Sequence, residues 1–342
     1  MLTGHLRRLA GLPGTALGVN TRPARLGHRT FLAWNYWWQA HLLDCLLDAE
    51  LRAPAEIRRL TIERVVRGIW LRNFGRWTNA YYDDMAWLGL ALQRAHRLFG
   101  LGRPDAIAIL ADRLLAAWTA DLGGGISWRR GDEFKNAPAN GPAAILLARS
   151  GFRDRAVATV DWIDRRLRDP ASGLIWDGAR PGPESAAGRT VRVETPIYAY
   201  NQGVVLGAEL ELAIRSVSGE RHAARVRRLV AAVDHGLTVR GVLVGHAGGD
   251  SGLFTGILTR YLALVARSLP GDDPASARSR ERAAALIRAS ADAGWAGARQ
   301  GPTFGPDWSR PARPPARRNP ERDLSVQLSG WMLMEAAASL ER

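Results

Sequence analysis

With Cys45 as its only cysteine, the chain of 342 residues can form no internal disulfide, and its cysteine usage gives no sign of an oxidising compartment. Cys45 lies in an apolar helical stretch and reads as a small buried residue rather than a nucleophile. Lysine is as scarce: Lys135 stands alone, so all but one of the 47 basic residues are arginine. No apolar stretch runs far enough between charges to span a membrane. The seven histidines show neither an HExxH pair nor any other paired ligand spacing, which excludes the usual zinc sites. Gly123-Gly124-Gly125 precedes no P-loop lysine and reads as a turn. The Gly248-Gly249-Asp250-Ser251-Gly252 loop lacks the alternating oxygen ligands of a calcium site. No metal and no cofactor are therefore expected.

The composition is globular, with 46% hydrophobic and 23% charged residues. A net charge of +14 invites a nucleic-acid reading, but the arginines are scattered. Only 310–322, with Arg310, Arg313, Arg317, Arg318 and Arg322 among prolines, forms a run. Without a recognisable module or a basic face interleaved with aromatics, no nucleic-acid partner is expected. Attraction to an anionic glycolipid or phosphorylated glycan stays open as the weaker reading. Between Leu9 and Val19 the sequence is too glycine-rich for a signal-peptide core, so as written the chain is expected to be cytoplasmic, or secreted if the N-terminus differs.

Helices of two kinds alternate along the sequence. One kind is amphipathic: after Pro104, the apolar Ile107, Leu110, Ala111, Leu114, Leu115 and Trp118 share one face. Windows 56–70, 153–168, 221–237 and 278–296 repeat the pattern. The other kind is apolar nearly all round, at 31–47, 83–92, 137–149, 199–214, 254–269 and 323–340, and such helices must be enclosed by others. Strand-like alternation is scarce, with 241–244 the best short candidate. Six enclosed helices, with an amphipathic one between each successive pair, predict an all-α fold, an α/α six-hairpin toroid with inner and outer rings of six. The N-terminal arm, 1–30, or the final turn would complete the outer layer, and 31–342 would form one domain. The competing arrangement, an open solenoid of helical repeats, is disfavoured because the repeats differ in length and share no motif. Long individual loops at 121–136, 171–198, 241–253 and 297–322, the last an insertion, enter the inner helices, and such loops are where a site is built.

The chemistry-bearing candidate is Tyr81-Tyr82-Asp83-Asp84-Met85-Ala86-Trp87. One aspartate at a helix start is a cap. A second adds like-charge repulsion, and the helix that follows is too apolar for a surface position. Two close carboxylates among aromatics titrate as a pair, one protonated beside its ionised neighbour. A retaining glycosidase needs that state, one carboxylate attacking the anomeric carbon while the other protonates the departing oxygen.

With these segments in order, the chain resembles glycoside hydrolase family 76, the endo-α-1,6-mannanases and related cell-wall enzymes. The resemblance runs from about 31 to 340. It rests on Asn35-Tyr36-Trp37-Trp38-Gln39-Ala40-His41, the Tyr-Tyr-Asp-Asp segment with Trp87, and Gly124-Gly125-Ile126-Ser127-Trp128 with Lys135-Asn136 and Asn140. It continues through Tyr200-Asn201-Gln202-Gly203 and Phe254-Thr255-Gly256-Ile257 with Arg260-Tyr261. Thr255 departs from the lysine expected there. The resemblance implies the same toroid and α-mannan or a mannose-containing oligosaccharide as substrate, with Asp83 as nucleophile and Asp84 as general acid/base. Around the pair, the aromatics Tyr81, Tyr82, Trp128, Trp176, Tyr198, Tyr200 and Trp308 are candidate sugar platforms, and Asn140, Asn201, Gln202 and Asp250 candidate partners for hydroxyls. Trp34, Trp37 and Trp38 read as core. The alternatives are a transglycosylase of the same mechanism, a sugar 2-epimerase relying on His246, and a non-catalytic glycan-binding scaffold in which the aspartates are caps. Oligomeric state is left open.

Overall fold

The computed structural model describes residues 2–185, 188–298, 303–310, 312 and 322–342. The N-terminal arm holds a helical turn α1 (Leu2–His5), a two-stranded ribbon of β1 (Leu6–Arg7) and β2 (Leu17–Gly18), and a second turn α2 (Leu26–Arg29). Inner and outer helices then alternate. The inner ones are α3 (Tyr36–Arg52), α5 (Tyr82–Phe99), α7 (Ala137–Arg149), α9 (Ala199–Arg215), α11 (Phe254–Ser268) and α13 (Leu324–Ser339). Between them run the outer helices α4 (Glu56–Arg72), α6 (Pro104–Ala116), α8 (Arg153–Leu167), α10 (Gly219–Gly236) and α12 (Pro274–Ala298).

Each inner helix packs on the next, and α13 returns onto α3, which closes the ring and excludes the open solenoid. The enclosed character read from composition is real: in α7 every residue from Ala137 to Ala148 is buried. Close approach between inner helices depends on glycine. A Cβ on Gly203 of α9 would lie 2.9 Å from the Leu258 Cα, and one on Gly256 of α11 would lie 2.5 Å from the Ser329 Cα. Because an outer helix returns between each successive pair of inner ones, all six inner helices start at the same end of the ring.

Lower in the ring, charge replaces hydrocarbon. Arg94 of α5 and Arg260 of α11 both pair with Asp44 and Asp48 of α3, Arg260 reaching Asp48 at 2.8 Å. Helices α5 and α3 are neighbours in the ring, but α11 and α3 are separated by α13, so the Arg260 pairs reach past it inside the ring. Burial pushes Asp44 upward, but Arg260 and Arg94 outweigh it and hold the carboxyl below its ordinary value.

Three expectations need adjustment. The sixth outer position is taken by the N-terminal arm, whose β2 packs on α3 and α4, and by no long helix among the described residues. The first inner helix begins at Tyr36 instead of 31, after Phe31 takes a left-handed turn with φ +58°. Loop 171–198 contains a long antiparallel hairpin, β4 (Trp176–Ser185) with β5 (Gly188–Ile197), edged by β3 (Lys135–Asn136). Pro181, Pro183 and three glycines conceal it in the sequence, but irregularities in the register between Pro181 and Glu184 accommodate them. The short strand candidate is present as β6 (Thr238–Val239) paired with β7 (Val242–Leu243). Of the basic run, Arg313, Arg317 and Arg318 lie outside the described residues.

Candidate active site

The inner-helix starts surround a cleft of about 1120 Å³. Its floor is the first turn of α5. Tyr81 takes extended backbone before the helix, its N–H donating to Asn79 Oδ1 at 2.8 Å, and the Tyr82 N–H donates to the Trp128 carbonyl at 2.9 Å. The segment carrying Trp128 is thereby tied to the start of α5. It is tied from behind by Lys135, whose buried ammonium donates to the carbonyls of Thr119, Asp121 and Gly124 and to the Thr119 hydroxyl at 2.7 to 3.2 Å.

Asp83 and Asp84 follow Tyr82 directly and stay partly accessible to the cleft. Asp83 accepts from the Trp128 indole N–H at 3.0 Å through Oδ2 and from the Asp84 backbone N–H at 2.9 Å through Oδ1. Burial pushes Asp83 up to about 6, while those two donors pull in the opposite direction. Asp84 accepts from the Asn79 amide and is driven well above the carboxylate range, first by burial and then by the charge of Asp83. Both carboxylates have donors that favour the anion, and what sets Asp84 higher is the charge of Asp83 added to its burial.

Two further carboxylates face the same space. Asp250 Oδ1 collects the Asn35 amide at 3.0 Å and the indole N–H groups of Trp37 and Trp38 at 3.2 and 2.8 Å. Asp177, on β4, is pushed up to about 6 by burial, and the Asn201 amide donates to it at 3.4 Å. Flat apolar surface completes the walls. Tyr200 stacks on Phe254 with centroids 3.8 Å apart and planes at 5°, and Tyr81 meets Trp128 edge-on at 5.2 Å. Hydroxyl-bonding carboxylates beside such platforms suit a sugar chain.

Of the candidates read from sequence, Tyr81, Asp83, Asp84, Trp128, Tyr198, Tyr200 and Asp250 line the cleft. Tyr82 packs against the core and Trp176 starts β4 away from the cleft wall. Asn201 acts at one remove, through Asp177. Asn140 and Gln202 are buried and bond backbone: Asn140 bridges the N–H and carbonyl of Ile126, and Gln202 those of Ile175. Trp308 is buried in the core, beside Gly294. Trp34 and Trp37, read as core, line the cleft instead, because the helix begins at Tyr36 and leaves Trp34 ahead of it; Trp38 is buried. Asn79, Asp177 and Phe254 also line the cleft and were not singled out as site residues; Asn79 stands just ahead of α5 and Phe254 opens α11, positions the sequence could have signalled, whereas Asp177 lies on β4.

Comparison with known proteins agrees with this geometry. No curated protein sequence matches. Among solved structures, the GH76A α-1,6-mannanase of Salegentibacter sp. HEL1_6 is 30% identical with a TM-score of 0.83, covering 98% of this chain and 95% of that one. An inactive variant of that enzyme with two aspartates replaced by asparagine, in complex with α-1,6-mannotriose, is similar at 29% identity with a TM-score of 0.84, covering 98% and 95%. The Lin0763 protein of Listeria innocua is 25% identical with a TM-score of 0.81, covering 99% and 94%. The model of glycosyl hydrolase family 76 matches residues 17–339, which takes in the whole ring and the aspartate pair at its mouth, and the chain belongs to that family.

Proposed function

We propose that the chain hydrolyses α-1,6-linked mannan with retention of configuration, using Asp83 as nucleophile and Asp84 as general acid/base. The observation that carries this reading is the adjacent, half-buried pair Asp83 and Asp84 on the floor of an aromatic-walled cleft. Two donors, one of them the Trp128 indole, favour the Asp83 anion, and Asp84 keeps its proton beside that charge. In the first step an Asp83 oxygen forms a bond to the anomeric carbon as the glycosidic C–O bond breaks, and the Asp84 proton passes to the departing oxygen. In the second step Asp84, now ionised, takes a proton from water, whose oxygen displaces Asp83 from the anomeric carbon. The stacked Tyr200 and Phe254 and the Tyr81–Trp128 pair supply faces for sugar C–H groups, with Asp250 and Asp177 for hydroxyls. The choice of mannan rests on the Salegentibacter relatives, an α-1,6-mannanase and its inactive variants with α-1,6-mannotriose and α-1,6-mannotetrose.

The test is digestion of α-1,6-mannotetraose followed by NMR of the anomeric protons. Initial release of the α-anomer, lost in folded Asp83→Asn and Asp84→Asn variants, is the expected result. Release of the β-anomer, or full activity in either variant, would overturn the mechanism.

A further inference from the structure

One lip of the cleft combines exposed hydrocarbon with unpaired arginine. No Asp or Glu occurs before Asp44, and none between Glu63 and Asp83, while these two stretches carry nine arginines. The fold brings them together. Arg72, at the end of α4, donates to the carbonyls of Phe31 and Leu32 at 2.6 and 3.3 Å, and its guanidinium lies 5.0 Å from the Trp34 ring and 5.9 Å from the Phe74 ring. The Ala33 N–H donates to the Gly27 carbonyl at 3.0 Å, which folds α2 onto the same lip. From it project Leu26, Leu32 and Phe74, which are 77%, 79% and 84% exposed. Arg25, Arg29 and Arg76 are exposed beside them, and none of these three or Arg72 forms an ion pair among the described residues.

Large apolar side chains left in water next to uncompensated positive charge mark an interaction surface. A nucleic-acid backbone would pair with the arginines but offers nothing in which to bury two leucines and a phenylalanine. An anionic bilayer offers both, a negative headgroup layer and an acyl boundary just beneath it. Among the described residues no helix is long and apolar enough to cross a membrane, so contact would be peripheral. We propose that this lip, residues 25–34 with 70–76, docks the enzyme on an anionic lipid surface. Trp34, Asn35, Arg72, Asn73 and Phe74 also line the cleft, so docking sets the cleft mouth against the headgroups. Combined with the mannanase reading on which this last step rests, the substrate is then a mannan tethered to that surface.

The test is sedimentation of the full chain with phosphatidylcholine vesicles, with and without phosphatidylglycerol. Binding is expected only where phosphatidylglycerol is present. The Arg25→Gln/Arg29→Gln variant should lose roughly 25-fold in partitioning, at about fivefold per arginine. Leu26→Ser/Leu32→Ser should weaken binding at unchanged charge. Arg228→Gln/Arg288→Gln, which removes the same charge from exposed positions on α10 and α12, should bind as the parent does. No binding, equal loss in the α10/α12 variant, or full binding by the leucine variant would each overturn the proposal; the last two would reduce it to net charge alone or to general polyanion attraction. Sedimentation needs no turnover, so vesicle binding without mannotetraose hydrolysis would leave docking standing and sink the activity instead.

Discussion

Replacing Trp128 with phenylalanine removes one hydrogen bond while keeping a ring against Tyr81. The lost donor is the indole N–H, 3.0 Å from Asp83 Oδ2. A hydrogen bond to a charged group nets about 1.5–3 kcal/mol, and one pKa unit corresponds to about 1.4 kcal/mol, so Asp83 should rise by roughly one to two units. Starting at about 6 in the parent, it would reach roughly 7 to 8 in the variant. The nucleophile works only when ionised, so the sign follows directly: the acidic limb of kcat/KM moves to higher pH and activity at low pH falls. At pH values below both limbs the loss should be about 10- to 100-fold, shrinking toward the parent rate above the shifted limb. The assay is mannotetraose hydrolysis across the acid to mildly alkaline range, with folding checked by circular dichroism. If the acidic limb stays fixed and the basic limb moves up, Asp83 is the acid and the roles are reversed. If neither limb moves, the indole does not tune Asp83 and the reasoning fails.

Asp250→Asn removes a charge that raises both Asp83 and Asp84, so the acidic limb should move to lower pH, measured in the same profile. Phe254→Ala removes the ring stacked on Tyr200 and should raise KM for mannotetraose more than it lowers kcat, since the platform serves sugar binding. Lys135→Met leaves the oxygens of Thr119, Asp121 and Gly124 without their donor and should cost about 3 kcal/mol, read as a lower urea midpoint. Asp44→Asn leaves Arg94 and Arg260 undercompensated at a cost of about 3–5 kcal/mol. Asp44 titrates below its unfolded value in the folded chain, so its contribution is present above the ordinary carboxylate range and is lost as pH falls through the folded pKa. The parent should therefore lose stability on acidification more steeply than the variant, as measured by thermal melts.

The ring was legible because enclosure leaves a compositional mark: a helix such as α7, apolar on every side, has no reading except burial. The aspartate pair was legible because two carboxylates ahead of an apolar helix exceed what capping requires. Side-chain direction was not. Asn140 and Gln202 carry amides as able to bond a peptide as a sugar, and only the path of the loops at Ile126 and Ile175 decides for the peptide. Trp34 and Trp37 shared the apolar run of α3, and a start five residues later than expected turned Trp34 outward. Asp177 rides on a hairpin whose prolines and glycines mask its alternation.

The seam between α13 and α3 has a consequence for how the chain is made. Its two sides are separated by most of the polypeptide, so until α13 emerges from synthesis the first five hairpins can form only an open arc, with the apolar flanks of α3 and α11 bare. Closing so long a loop costs little more than closing a short one, because the entropy grows only logarithmically with length, and the arc is poised to snap shut once the last helix arrives. The same seam makes the last helix a point of failure. A chain lacking α13 would keep five hairpins and the aspartate pair yet leave two helix flanks open for a second copy, so such a truncation should associate rather than remain a stable monomer.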